Sequence, residues 1–236
     1  MPTAANVKAA LRAKGNAARA KKLVSFFRAE PGGYAEGDQF FSVMVPEQRE
    51  IAKQFRDLPI PEVVALLRDP YHECRLTALF ILIHHFKRGD AETRSQLVEI
   101  YLKNIDRVNN WDLVDSSAHQ ILGNFLTDSA DRSVLYDLAK TDHIWSQRVA
   151  IVATYAFIRK NDFDETIAIS KILLNHEHDL IHKAVGWMLR EMGKRDEGAL
   201  VDFLSTRYQQ MPRTMLRYAI EKFDRETRTA YLKGEA

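Results

Sequence analysis

The 236-residue chain carries 34 Lys plus Arg against 32 Asp plus Glu, is 46% hydrophobic, and contains 10 Gly, 7 Pro and one Cys. Such a composition supports a globular core of ordinary size and excludes a disordered, collagen-like or disulfide-stapled chain. A lone Cys74 builds neither an intramolecular disulfide nor a cysteine metal site, which fits a cytoplasmic protein, and no apolar run approaches the roughly 20 residues needed to cross a bilayer.

The first segment, 1–28, reads as basic helices. Its start lacks the apolar stretch of a secretory signal, and Lys8, Arg12, Lys14, Arg19, Lys21, Lys22 and Arg28 all precede the first acid, Glu30. Those seven cations are drawn from a total of 34, which leaves 27 bases against 32 acids in the remainder. A basic arm on a mildly acidic body points to a polyanionic partner met in one place, or else to a solvated helix face. Residues 30–46 form a Gly-rich, aromatic loop without the spacing of a nucleotide-phosphate motif, expected to pack its Phe residues under the basic helices.

From 47 to 233 the pattern is helical. Apolar residues recur at i, i+3, i+4 and i+7 over 71–87, 111–125, 145–160 and 178–193, and short turn signals such as Arg88-Gly89-Asp90 and Lys160-Asn161-Asp162 separate them. The fold class is therefore all-α. Aligning the second helix of each pair on Arg75, Asp112, Arg148, Lys183 and Arg217 gives spacings of 37, 36, 35 and 34 residues. Two helices per unit at this period predict a single domain, 1–236, built as a HEAT-like α-solenoid of stacked antiparallel helix pairs. The aligned residues should share its concave face, and since four of the five are cations, that face should cradle a phosphate backbone.

Two helices carry candidate chemistry. Along 181–192, Ile181, Ala184, Val185, Met188, Leu189 and Met192 form one apolar stripe, whereas Lys183, Trp187 and Arg190 fall together at i, i+4 and i+7 on another side. Trp187 either meets a ligand there or packs on the neighbouring repeat. Along 111–125, Val114, Ala118, Ile121, Leu122 and Phe125 form the stripe, with Asp115 on its flank one turn beyond Trp111. Asp112 belongs to the first turn behind an Asn110 cap, where a carboxylate complements the helix dipole. Asp115 lies too far in for that role, so it needs a basic partner, for which Arg148 is a candidate, or a function. His178 and His182 stand at metal-binding spacing but read better as a helix entry turn, and no metal or other cofactor is expected. His84, His85 and His119 read as packing or surface residues, and Cys74 as structural.

The segments Trp111-Asp112-Leu113-Val114-Asp115, Ile144-Trp145-Ser146-Gln147-Arg148 and Ala184-Val185-Gly186-Trp187-Met188-Leu189-Arg190-Glu191 resemble the AlkD-like DNA alkylation repair glycosylases. The loop Gly33-Tyr34-Ala35-Glu36-Gly37-Asp38 with Phe40 and Val45-Pro46 is similar to that family's N-terminal motif, so the resemblance runs from about residue 20 to about 225. It implies a hydrolase that removes positively charged N3- or N7-alkylpurines, such as 3-methyladenine and 7-methylguanine, from duplex DNA, and the absence of a recognisable catalytic Lys motif makes a monofunctional enzyme the expectation. By position it implies Asp115 as the catalytic carboxylate, Trp111 and Trp187 as aromatics at the lesion, and Arg148 and Arg190 as backbone contacts. Lys183 joins these on the cationic face. Phe26 stands where the family frequently has Tyr, which keeps the ring and removes a hydroxyl.

The chemistry is consistent with that implication. A purine made cationic by alkylation is already a good leaving group, so the barrier lies in forming an oxocarbenium-like sugar, which a nearby carboxylate stabilises. Other readings are a non-catalytic HEAT-like module that binds damaged or branched DNA and a protein-binding scaffold; a monomer suits a face that receives a duplex.

Overall fold

A computed structural model describes residues 1–236. The protein is all-α, and its one extended pairing is an isolated bridge between Gln39 and Tyr71. No helix is long and apolar enough to cross a membrane. The chain forms two compact units, Met1–Ser117 and Ala118–Ala236.

The first unit contains α1 (Ala4–Lys14), α2 (Ala17–Phe26), α3 (Val45–Gln54), α4 (Ile60–Leu67), α5 (His72–Arg88), α6 (Ala91–Lys103) and α7 (Trp111–Ser117). Thr3 opens α1 through a reciprocal capping box with Asn6, and Asn16 and Asp90 cap α2 and α6 with their side chains. Of the 17 residues of α5, 13 are buried, because α3, α4 and α7 all pack on it. That is the expected position of a helix apolar on nearly every side.

The 30–46 loop is anchored on the start of α5. The Glu73 carboxylate, itself buried, accepts the backbone N–H groups of Phe41, Ser42 and Val43 at 3.0, 2.6 and 3.4 Å. Three charge-assisted bonds to consecutive amides hold this segment more firmly than apolar contact alone would. Gly32 and Gly37 adopt positive φ, 78° and 85°, where a side chain would be strained. Phe27 and Phe40 share a cluster with Ala20, Leu23 and Val24 of α2, as expected for a loop whose aromatics pack beneath that helix.

The second unit continues with a π-turn at His119–Gly123, α8 (Asn124–Leu126), α9 (Ser133–Lys140), α10 (Ile144–Ala153), α11 (Tyr155–Ile158), α12 (Asp164–Ile172), α13 (Asp179–Gly193), α14 (Glu197–Ser205), α15 (Arg213–Ala219) and α16 (Arg225–Lys233). Helix α10 packs on α9 and α13, and α13 packs in turn on α12, α14 and α15, the side-by-side order of an α-solenoid. The π-turn corrects the apolar stripe expected for 111–125. One extra residue in the turn rotates the helix beyond it, so Leu126 is buried at 4% exposure while Phe125 is half-buried. At Gly123 a Cβ would stand 2.3 Å from the Ala153 carbonyl oxygen, so the turn rests directly on the end of α10. The stripe of α13 is fully buried, as its periodicity predicts.

The aligned lead residues fall on α5, α7, α10, α13 and α15, matching the expected repeat, but they do not make a common cationic surface. Arg75 is 0% exposed; it donates to Asp38 and to the carbonyls of Asp69 and Pro70. Arg148 is 5% exposed, and its guanidinium donates to the Leu180 carbonyl. Both turn inward because main-chain carbonyls at or before helix starts lie within their reach and accept their guanidinium N–H groups. Of the lead cations only Lys183 and Arg217 remain accessible.

Candidate functional site

In the first unit the candidate residues form one cluster on α2, the adjoining turn, α5 and α7. The ring of Phe27 stacks on Trp111 at 5.6 Å and on His72 at 4.6 Å, and Phe40 stacks on Phe27 at 5.4 Å. Phe26 meets the same indole edge-on at 5.9 Å and is 60% exposed, so a large ring faces solvent beside Trp111. An exposed aromatic of that size on a helix that also presents Lys21 and Lys22 is a surface suited to a base or sugar bordered by phosphate.

Beneath this platform lies a charged network that sequence reasoning missed. His72, 2% exposed, sets Nδ1 3.3 Å from Asp38 and Nε2 2.8 Å from Asp112. Two carboxylates facing the two ring nitrogens leave both positions as donors, which describes an imidazolium. Burial acts to lower its pKa, but the Asp112 charge and the hydrogen bonds that the ring donates to Asp112 and Asp38 outweigh burial and the opposing Arg75, raising it to about 9. Asp38 also takes Arg75, so the Gly37-Asp38 end of the loop is tied to α5 twice.

Asp112 therefore does more than complement a helix dipole. One of its oxygens accepts the Leu113 N–H at 2.9 Å and the other meets His72, which fixes the first turn of α7. Asn110 accepts the Trp111 N–H at 2.8 Å through its side chain. Asp115 lies one helical turn beyond Trp111 and is half-buried. The buried Tyr101 phenol, bonded to Ser117 at 3.0 Å, is pushed above the ordinary range chiefly by burial and further by the Asp115 charge. The arrangement in this unit is thus a carboxylate and an indole on adjacent turns, beside an exposed ring and above a cationic support.

The second unit holds the other candidates. Trp187 is half-buried on α13, with Tyr155 6.2 Å away and His119 edge-on to Tyr155 at 5.3 Å. Lys183 is 39% exposed and pairs with Asp179 at 2.6 Å. Arg190 pairs with Glu191 at 3.3 Å and with Glu221. Arg148, inside α10, is not among the surface cations, which corrects its expected outward position.

The histidine group at the start of α13 is used for helix entry. His178 caps Leu180 N–H at 3.1 Å, His176 accepts from His178 N–H at 2.9 Å and meets Gln147 at 2.8 Å, and His182 bonds the His176 carbonyl. Burial holds His176 and His178 below the usual histidine range. Cys74 is buried, and desolvation pushes its thiol up, away from nucleophilic form.

A family model described as "DNA alkylation repair enzyme" matches residues 7–223. Among solved structures, a predicted DNA alkylation repair enzyme from Enterococcus faecalis superposes with a TM-score of 0.72 at 16% identity, over 90% of this chain and 98% of that one, a likeness of fold. No curated protein matches the sequence.

Proposed function

The chain belongs to the DNA alkylation repair enzyme family, and on that premise we propose that it is a monofunctional DNA glycosylase acting on cationic N3- or N7-alkylated purines in duplex DNA. The observation that carries this reading is the pairing of Asp115 and Trp111 on adjacent turns of α7, with the exposed Phe26 ring beside the indole. The carboxylate stabilises the developing positive charge on the deoxyribose as the C1′–N bond breaks and its electron pair returns to the base, neutralising it. Water then forms the new C1′–O bond, loses a proton to solvent, and leaves an abasic site. No strong general acid is required, since the leaving base is already cationic.

The aromatic residues favour the cationic base and sugar through their π faces, on the order of 0.5 to 2 kcal/mol each. We assign this role to Trp111 and Phe26 in the first unit and to Trp187 in the second. Lys21 and Lys22 on α2, with Lys183 and Arg190 on α13, supply positive charge for the phosphate backbone. The partner is duplex DNA, and this chemistry asks nothing of a metal or organic cofactor.

The test is release of free 3-methyladenine or 7-methylguanine from methylated duplex by the purified protein, detected by mass. Salt-dependent duplex binding without release would favour a non-catalytic DNA-binding module instead.

A further inference from the structure

The last repeat contains a surface feature that the aromatic cluster does not account for. Thr214, Arg217, Tyr218 and Glu221 on α15 and the turn after it, with Arg228 on α16, line a concavity of about 410 Å³. Arg217 and Arg228 are exposed and make no ion pair, although most cations of this protein are committed to carboxylates or carbonyls. Glu221, the one acid of the lining, is already compensated by Arg190 and by Lys222 at 3.0 Å. Tyr218, which also lines the concavity, is 36% exposed. Two free guanidinium groups with a phenol make a donor-rich wall suited to a phosphate oxygen set.

This concavity borders the helix that carries Trp187. At Gly186 a Cβ would lie 2.5 Å from Tyr218 Cβ and 2.5 Å from the Met215 carbonyl oxygen, so α13 and α15 touch there. Asp179 bonds Thr214 at one end of the pair, and Arg190 bonds Glu221 at the other. The face presenting Lys183, Trp187 and Arg190 therefore continues onto α15.

We propose that Arg217, Arg228 and Tyr218 form a binding site for a backbone phosphodiester of duplex DNA. This rests on reading the chain as a duplex-binding repair enzyme, and it adds a contact point in the C-terminal repeat. Arg217 is the accessible member of the repeated lead positions that ends up without an acidic partner, which makes it the free cation of that register. Arg228 approaches from α16 and closes the other wall of the concavity.

The experiment measures duplex binding as a function of salt for wild type, Arg217→Gln, Arg228→Gln, their double variant, and Arg225→Gln, an exposed cation outside the concavity. Each lining arginine should weaken binding about five-fold at physiological salt and lower the salt slope by about one, with Arg217→Lys recovering most of the slope. Arg225→Gln should bind close to wild type. Lining variants that behave like Arg225→Gln overturn the site while leaving the DNA reading intact, and a wild type that does not hold duplex overturns both. Arginine side-chain NMR signals of Arg217 and Arg228 should shift with duplex and not with inorganic phosphate at the same concentration. Saturation by inorganic phosphate alone would assign the site to a free anion and overturn the backbone assignment.

Discussion

His72 Nε2 lies 2.8 Å from the Asp112 carboxylate, in a side chain only 2% exposed. Its ring also underlies Phe27, which stacks on Trp111, so a cationic histidine supports both the first turn of α7 and the aromatic platform. A folded pKa of about 9 against an ordinary 6.5 corresponds to roughly 3 kcal/mol of stability. Because the folded value is raised, this contribution is fully present below pH 6.5 and disappears as pH rises through about 9. Denaturant unfolding of wild type and His72→Gln should therefore differ by a few kcal/mol near pH 6 and converge by about pH 10. A pH-independent difference would show that His72 is held neutral.

Phe26 is a surface ring, 60% exposed, that meets Phe27 and Trp111 edge-on, so its removal should cost little stability. Phe26→Ala should leave the unfolding free energy nearly unchanged, within about 0.5 kcal/mol, and slow lesion release several-fold. Phe26→Tyr should release at least as fast as wild type, because the ring is kept. Thermal unfolding and single-turnover release, measured on the same preparations, separate the two effects.

Arg148 is buried in this fold and bonded to the Leu180 carbonyl. Arg148→Ala removes a donor to the Leu180 carbonyl at the start of α13 and should destabilise the second unit by about 1 to 3 kcal/mol. Its duplex-binding salt slope should match that of wild type. A lowered slope in a variant of unchanged stability would return Arg148 to the DNA contact set.

Gly186 is where α13 and α15 touch, and a methyl group has no room there. Gly186→Ala should destabilise by about 1 to 3 kcal/mol through overpacking, despite the better helix propensity of Ala. Calorimetry would show this directly as a lower transition temperature.

The helical class and repeat spacing are legible in the sequence because both rest on apolar periodicity, which the buried stripe of α13 obeys residue by residue. The Trp111 to Asp115 pairing is equally legible, since i, i+4 neighbours are fixed once the helix is placed. Three features escape that logic. The π-turn at 119–123 shifts the face by one residue, and nothing in the local pattern announces it. The direction of a cation on an inner helix depends on main-chain carbonyls brought close by the fold, which is why Arg75 and Arg148 turn inward and Arg217 does not. The His72 network joins positions 38, 72 and 112, separated by 34 and 40 residues, so no local spacing reveals it. The one available signal was the pairing of an Asp at the end of a Gly-rich motif with a His at the start of the long, largely buried helix α5.

The glycosylase reading turns on one carboxylate, and Asp115→Asn tests it with the least disturbance of shape. Release of free methylated purine from methylated duplex should be measured for wild type and Asp115→Asn under single-turnover conditions, with duplex binding and melting temperature recorded beside it. We expect release by wild type and a rate lower by about 100-fold or more in the variant, with binding and fold retained. Near wild-type release by Asp115→Asn would contradict that reading and remove Asp115 from the reaction.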